Sequence, residues 1–507
     1  MARQAARGAS LLLLLQALRG ISSVIFFALA ARLLPRIEDY GQLSALTLVY
    51  NLYGLACGLG LPAAETYYMA QALGQGQAAE AAAVLRLGLS LGLGVSLAAA
   101  ALNALLALPL AAFLLGDPGA APLIGLLSLS LVPSSLSGHL YAALRAQRRF
   151  PEATSIEAIG VSIRNVGGVL LLWRLGLAGA PLGWALGDAC RFVLYLWRTG
   201  PLLTRRDQAF GATRLLSYAA APYANDLVSY VYGSVDRVLL LKLLGSRPLG
   251  LYTPAVTAAL LVSNLVAAMG DALFPELSTR AGRGDAKGMA RVSRLASRYL
   301  GLGAVPAMIG LASVATPTVT LFAGLRYEAS APVLAMVALS LSLTTQALIA
   351  GSLSLSLGLP RFILYSTLLG SALQAALSLA LIPWLSLSGA ALARALSALG
   401  SFLALLMLLA RRWPVLQSID WGSLAKAYIA SIPCSLAALG LQLLYYGRYL
   451  LPAYISAGLV AYLLALRSLR VWREEDGRLL RELVGARAWR FARPLRLLAG
   501  LAHDQKG

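Results

Sequence analysis

The sequence predicts an all-α polytopic membrane protein of about 14 transmembrane helices, arranged as two parallel six-helix lobes and a C-terminal helix pair. Of its 507 residues, 59% are hydrophobic and only 12% are charged, whereas soluble domains contain about 25% charged residues. Apolar stretches of more than 18 residues recur along the chain, as membrane-spanning helices require. In addition, one segment repeats at a distance of about 210 residues.

The spans follow from apolar stretches of about 20 residues that end at charged or Gly/Pro-rich breaks. The first follows Arg3 and Arg7 and continues apolar to Leu34 without a small-residue cleavage site, so we interpret it as a mature helix rather than a signal peptide. The predicted spans are residues 11–33, 43–63, 82–108, 121–143, 153–173, 177–197, 216–241, 250–273, 296–316, 330–355, 361–384, 387–410, 425–446 and 450–468.

The distribution of basic residues predicts the orientation of these spans. An even number of spans puts both termini on one side, and the loops on that side carry seventeen basic residues before the C-terminal tail is counted. Far fewer lie in the opposite loops. The positive-inside rule therefore predicts a multi-pass plasma-membrane protein with both termini in the cytoplasm. The net charge of +21 mostly reports this orientation, so we expect no nucleic-acid partner.

An internal repeat predicts the domain organisation. Residues 175–192 match residues 385–402 at an offset of 210. Two repeats with an even number of spans have the same orientation, and parallel repeats enclose a cavity that opens alternately to the two sides of the membrane. The predicted parts are lobes at 1–200 and 210–410, helices 13 and 14 at 425–468, and a basic amphipathic cytoplasmic tail at 471–507 that rests on the anionic inner leaflet.

Ionisable side chains inside the spans mark the candidate site. A charge that faces lipid at mid-depth costs about 2.5–3.5 kcal/mol, so these groups must pair or face water. Asp188 and Arg191 are spaced i, i+3 and can pair on one helix face; for Arg191, pairing and binding both remain open. The deepest groups are expected to face an aqueous cavity: Arg19, Arg164, Asp226 and Arg394.

The excess of arginine over aspartate in this set points to an anionic cargo. The planar guanidinium donates two parallel hydrogen bonds to phosphate and stays charged when it is desolvated. The repeat duplicates the scaffold but not the charges, because Arg164 corresponds to Leu373 and Asp188 to Ala398. Such asymmetry favours an asymmetric substrate.

Metal and cofactor chemistry is not expected. Cys57, Cys190 and Cys434 lie inside apolar runs and lack the short spacings of metal sites. His139, near the end of the fourth span, is interpreted as an interfacial or packing residue.

Four stretches, in chain order, resemble the polysaccharide or oligosaccharide flippase family. This family handles lipid-linked saccharides and belongs to the multidrug/oligosaccharidyl-lipid/polysaccharide exporter superfamily, which also includes the peptidoglycan-lipid flippases and the multidrug and toxin extruders. The similar stretches are ARLLPRIEDYG at 31–41, SVDRVLLLKLLGSRPLGLYTPA at 234–255, LFPELSTRAGRGD at 273–285 and YEASAPVL at 327–334. Positions such as Gly41, Asp236 and Gly250 within them lie at helix ends and turns, so we expect them to be structural.

The resemblance implies a transporter rather than an enzyme. It would move a polyprenyl-(pyro)phosphate-linked oligosaccharide from the cytoplasmic to the outer leaflet by alternating access, without a cofactor. Its implied partners are the lipid-linked oligosaccharide, membrane lipids and glycan-assembly enzymes. The candidate substrate-binding residues are Arg19, Arg164, Arg394 and Arg191, and the candidate groups for coupling to a cation or proton gradient are Asp226 and Asp188.

Three alternative functions remain open at this point. A multidrug extruder should have a more apolar or acidic cavity for organic cations. A membrane glycosyltransferase would place acidic residues in its first outer loop, where Glu38 and Asp39 lie, but that loop has only about eight residues and no large outer domain follows. A non-transporting scaffold of a glycan-assembly complex would have no use for buried charges.

Overall fold

A computed structural model of the protein describes residues 20–204 and 209–471, and these residues form helices and short connections without β-strands. Within these ranges, seven helices are long and apolar enough to span a membrane, or nine if each of two bent pairs counts as one span. Two of the seven, Phe150–Leu203 and Pro360–Ala410, have 54 and 51 residues, more than twice the length that one crossing needs. The protein is therefore a polytopic helical membrane protein, and the count of fourteen spans stays a prediction.

The helices coincide in order with the predicted spans. Two predicted spans are bent: the span 43–63 is two helices bent by 40°, and the span 330–355 lies in a pair of helices bent by 44°. The first bend arises because Leu59 and Gly60 adopt left-handed backbone conformations, and the second helix of that pair continues to Gly74. The helices are α1 Gly20–Leu33, α2 Ile37–Gly58, α3 Leu61–Gly74, α4 Ala78–Leu105, α5 Ala107–Leu110, α6 Ala121–Ala146, α7 Phe150–Leu175, α8 Gly179–Leu203, α9 Ala212–Leu244, α10 Ser246–Gly282, α11 Ala286–Ser313, α12 Ala315–Phe322, α13 Ala331–Leu343, α14 Ala347–Ser356, α15 Pro360–Ala410, α16 Trp421–Leu444 and α17 Leu451–Ser468.

The chain forms two compact units, one that ends at Pro254 and one that begins at Ala255. The first unit has an apolar core built mainly from α3, α4 and α6, with contributions from α7, α8 and α9. The second has its own core, built mainly from α11, α14 and α15. The predicted lobe boundaries stay predictions, and residues 472–507 of the predicted tail lie outside the described residues.

The repeat seen in the sequence is also present in the backbone. Residues with positive φ interrupt the helices at pairs of positions 208–210 residues apart. Shortly after one such break in each half, a Cβ on Gly179 or on Gly389 would collide with the backbone of the helical segment before the break. The two halves thus share helix breaks as well as sequence. The recurring pairs are Gly76 and Gly284, Gly116 and Gly324, Arg148 and Gly358, and Gly176 and Ser386.

One member of these pairs predicts a stabilising substitution. Ser386 has φ 51° and ψ −125° inside α15, and its counterpart Gly176 has φ 61° and ψ −146°. A side chain in such a left-handed conformation costs about 1–2 kcal/mol, so Ser386→Gly should raise the free energy of unfolding by about 1 kcal/mol. Denaturant unfolding of the purified protein measures this. The reciprocal Gly176→Ser should lower stability by a similar amount, and an unchanged or lower stability of Ser386→Gly would contradict the argument.

The family-like motifs hold α2, α9 and the start of α10 together. A Cβ on Gly41 would collide with a backbone oxygen of α10, and one on Gly250 would collide with a backbone oxygen of α2. Tyr252 of α10 donates a hydrogen bond of 2.5 Å to Asp236 of α9, and both residues are completely buried. These contacts agree with a structural role for the motif positions.

Candidate functional site

The site is built on a close contact between α7 and α8 in the first unit. A Cβ on Gly183 would collide with the backbone of Gly168, and a Cβ on Gly187 would collide with the stem of Arg164. Small residues let two membrane helices approach until their backbones nearly touch. This contact fixes where the stem of Arg164 lies relative to α8.

Arg191 joins two carboxylates at this contact. Its Nη1 donates to Glu157 Oε1 at 2.6 Å, and its Nη2 donates to Asp188 Oδ1 at 3.0 Å and to Ser134 Oγ at 3.3 Å. The side chains of Arg191, Glu157 and Asp188 are 14%, 18% and 2% exposed. The pair of Asp188 and Arg191 expected from their i, i+3 spacing is thus confirmed, and Glu157 of α7 is added to it.

Tyrosines add hydrogen bonds to the carboxylates. Tyr50 of α2 donates to Asp188 Oδ2 at 2.7 Å. The Tyr195 hydroxyl of α8 lies 2.8 Å from the Ala153 carbonyl oxygen and 3.2 Å from Glu157 Oε2, so these two acceptors share its one proton. Among the described residues, the buried Nε of Arg191 has no partner. Additional hydrogen bonds of this kind help to offset the cost of burying an ion pair.

Arg164 differs from Arg191 because aromatic rings, rather than carboxylates, hold it. Its guanidinium carbon lies 4.7 Å from the ring centre of Tyr50 and 5.1 Å from that of Trp184. Among the described residues its half-buried side chain has no hydrogen-bond or ion-pair partner. Cation–π contact leaves the N–H groups of a guanidinium unused, so Arg164 presents an oriented set of donors.

The charges of this cluster balance before any ligand binds. Arg164 and Arg191 supply two positive charges, Glu157 and Asp188 supply two negative ones, and Arg191 contacts both carboxylates. A bound anion would use the donors of Arg164 but would add negative charge. A further cation is needed for strong binding of an anion here.

The described start of α1 lies beside α7 next to Arg164. Asn165 Nδ2 donates to Ser22 Oγ at 2.9 Å and to Ser23 Oγ at 3.3 Å. Arg19 precedes these serines in the chain and lies outside the described residues. Between α1 and α7 there is also a largely apolar crevice of about 690 Å³, lined by Ile25, Asn165 and Leu170 among others.

Two other predicted site residues are described in the structure, one on α9 and one on α15. Asp226 is exposed on α9 and lines a cavity of about 320 Å³ with Arg145, beside the bend between α2 and α3. Arg394 is half-buried in α15, in the second unit. Of the six predicted residues, the structure therefore brings together Arg164, Asp188 and Arg191.

Sequence reasoning missed several members of the cluster. Glu157 carried a usable signal, because it precedes Arg164 by seven residues and thus shares a face of α7 with it. Tyr50, Ser134 and Trp184 come from other helices, and no spacing rule connects them to α7. Their roles depend on the packing of four helices.

Comparisons with known proteins agree with a transporter fold. Residues 29–332 match the family model of a polysaccharide biosynthesis protein, and residues 228–463 match that of the lipid II flippase MurJ. Among curated proteins, no sequence matches the chain.

Three solved structures illustrate the likeness. The lipid II flippase MurJ in an inward closed conformation has a TM-score of 0.74 and 16% identity, over 94% of this chain and all of that chain. An inward-facing multidrug resistance MATE family transporter has a TM-score of 0.67 and 14% identity, over 78% of this chain and 94% of its own. A transporter of the same superfamily from Pyrococcus furiosus, described as having a binding pocket of reversed polarity, has a TM-score of 0.53 and 16% identity, over 80% and 93%. At these identities the likeness establishes the fold alone.

Proposed function

Because the chain belongs to the polysaccharide biosynthesis protein family, whose model matches more than half of its residues, we propose that it is a lipid-linked oligosaccharide flippase. It moves a polyprenyl-(pyro)phosphate-linked oligosaccharide from the cytoplasmic to the outer leaflet of the plasma membrane by alternating access. The observation that carries this proposal is Arg164, an arginine held by two aromatic rings with its donors unused.

Phosphate is the ligand chemistry that fits Arg164 best. A guanidinium that is already oriented loses little side-chain entropy on binding, and its two parallel donors match two phosphate oxygens. An organic cation would be repelled by the same group. Because the local charges already balance, we propose that Arg19, which precedes α1 in the chain, supplies the additional positive charge. Arg394 stays a proposed substrate-binding residue of the second unit.

Arg191 is better suited to positioning than to binding. Its two terminal nitrogens already contact Glu157, Asp188 and Ser134, so a phosphate that bound them would have to displace carboxylates. We propose that Arg191 has a positioning role: its ion pairs with Glu157 and Asp188 join α7 to α8, and this fixes the positions of Tyr50 and Arg164.

The crevice between α1 and α7 suits the first part of the lipid tail. Most of the side chains that line it are apolar, and it lies along the helix that carries Arg164. A polyprenyl chain gains about 0.8 kcal/mol for each CH₂ group moved out of water, so the tail has no reason to enter a polar cavity. The phosphate and sugars cross through the protein while the tail stays at this apolar surface.

The proposal also includes the group that couples transport to an ion gradient and the orientation of the protein in the membrane. Of the two predicted coupling groups, Asp226 is the better placed for a mobile cation, since it lines a cavity whereas both oxygens of Asp188 are occupied. We place both termini in the cytoplasm, where glycan-assembly enzymes can deliver the substrate. Transport of this kind requires no covalent chemistry and no cofactor.

Multidrug export is the second candidate, since a multidrug transporter has the same fold. The described cluster argues against it, because an unused guanidinium would meet the cationic drug. An anionic drug remains compatible with Arg164, so the test must separate a lipid phosphate from a soluble anion.

Reconstitution into proteoliposomes tests the function. A fluorescent polyprenyl-pyrophosphate oligosaccharide should become accessible to a membrane-impermeant quencher much faster with the protein than in empty vesicles. A matched glycolipid with the same sugars but no phosphate should not be accelerated, and neither should release of an anionic or cationic dye. Acceleration of dye release without movement of the lipid would replace this proposal with multidrug export.

A further inference from the structure

A second buried polar pair lies in the first unit, apart from the arginine cluster. Glu65 of α3 and His139 of α6 are both completely buried, and Glu65 Oε1 lies 2.6 Å from His139 Nδ1. The sequence places Glu65 beyond the predicted second span and gives His139 an interfacial or packing role. In the structure α3 continues past the bend and brings the two side chains together.

The third helix around the pair is shaped to accommodate it. A Cβ on Gly88 of α4 would collide with Glu65 Oε1, and a Cβ on Gly92 would collide with the ring of His139 at Nε2. The two glycines are one helical turn apart, so they lie on one face of α4. Because glycine has no side chain, this face of α4 leaves room for both Glu65 and His139.

Two atoms of the pair, Glu65 Oε2 and His139 Nε2, do not take part in the contact between them. Both atoms are buried, and neither has a hydrogen-bond partner among the described residues. Buried polar atoms are almost always hydrogen-bonded, and an exception calls for a functional explanation. One oxygen and one ring nitrogen are thus available for a proton.

The pair can hold a proton at low cost in a dry environment. With one proton between them the two groups are neutral overall, whether the proton lies on the carboxyl or on the imidazole. Loss of that proton, or gain of a second, leaves a net charge inside the membrane, which is expensive. Each change of protonation therefore favours a conformation in which the pair meets water.

No other charged group in the described part of the first unit is hydrogen-bonded to Glu65 or His139. Arg86 of α4 donates to the Leu203 carbonyl. Tyr50 of α2 and Arg191 of α8 both bind Asp188. Arg145 of α6 and Asp226 of α9 line the cavity of about 320 Å³.

We propose that Glu65 and His139 form the proton-binding site that couples transport to a proton gradient. The proposal rests on the flippase function and names the coupling ion and its site. A proton enters the pair from the outer side, is carried as the unit changes conformation, and leaves to the cytoplasm while the lipid-linked saccharide moves outward. On this assignment the proton binds to Glu65 and His139, in place of the two coupling groups that the sequence predicts, Asp226 and Asp188.

The test uses proteoliposomes with a pH gradient that is acidic on the side to which the substrate moves. For one proton per cycle, a gradient of one pH unit should raise the accumulation ratio of the lipid-linked oligosaccharide by up to about tenfold. Glu65→Gln and His139→Asn preserve size and a hydrogen bond between the positions. Both should reduce the ratio to about one, while exchange of substrate between the leaflets continues.

One further variant serves as a control. Glu80→Gln, the same substitution near the start of α4, should respond to the gradient like the wild type. A full response in Glu65→Gln and His139→Asn would overturn the proposal. Loss of the response in Asp226→Asn, with a full response in those two variants, would assign the coupling to Asp226 instead.

A substrate-free measurement separates this proposal from the flippase function. Infrared difference spectra of the purified protein between low and high pH should show a buried carboxylic acid that is absent from Glu65→Gln. If the wild type shows the infrared band but does not move the lipid, the flippase function is rejected and the proton site is retained. Transport without the band would reject the proton site alone.

Discussion

Replacing Arg164 with alanine should lower the rate of lipid-linked oligosaccharide movement by about 10- to 100-fold while the protein remains folded. A charge-assisted hydrogen bond contributes about 1.5–3 kcal/mol, and each 1.4 kcal/mol corresponds to a factor of ten. Arg164 has no ion-pair partner in the described part of the chain, so its removal leaves no buried carboxylate unpaired. Transport should therefore fall without a matching loss of thermal stability.

Three further substitutions sharpen this result. Arg164→Lys keeps the charge but loses the planar fork, so it should recover only part of the rate. Arg174→Ala is the matched control: Arg174 lies on the same helix with its guanidinium 4.6 Å from the ring of Trp173, but it is exposed at the end of α7. It should transport at the wild-type rate. Arg19→Ala is expected to behave like Arg164→Ala, and wild-type transport in both would refute the phosphate site.

Hydropathy and charge predict the helices because both are properties of each segment alone. The i, i+3 rule likewise predicts the pair of Asp188 and Arg191, since both lie on one helix. The partner of Arg191 on α7 was not predicted, because Glu157 reaches it only through the register of α7 against α8. That register depends on glycines such as Gly183 and Gly187, and their absence of side chains gives no signal in a hydropathy profile.

The pair of Glu65 and His139 shows a second limit of the sequence. Leu59 and Gly60 bend the chain, and α3 then continues far enough to bring Glu65 against α6. A predicted span that ends at residue 63 leaves Glu65 in a loop, where a carboxylate needs no explanation. Gly88 and Gly92 are spaced i, i+4 in α4, which is a sequence signal, but it does not identify the side chains that occupy the space.

Arg191→Met should destabilise the protein by about 3–5 kcal/mol, because removal of one member of a buried ion pair leaves the other members uncompensated. Here Glu157 and Asp188 would both lose their cation while each stays largely buried. The free energy of unfolding in denaturant measures the loss. Arg164→Met is the matched control and should lose far less, since no carboxylate depends on Arg164 for an ion pair. Equal losses in the two variants would contradict the contrast between the arginines.

A triple variant then separates positioning from binding. Arg191→Met combined with Glu157→Gln and Asp188→Asn removes all three charges, and uncharged replacement of a whole buried network is often close to neutral for stability. Most of the lost stability should return, because Tyr50 and Tyr195 can still donate to the amide oxygens. If Arg191 only positions the site, the triple variant should transport the lipid-linked oligosaccharide at close to the wild-type rate. Arg164→Ala should not. A stable triple variant without transport would instead show that Arg191 contacts the phosphate itself, and the carboxylates would then act as a release switch that competes with the substrate for one guanidinium.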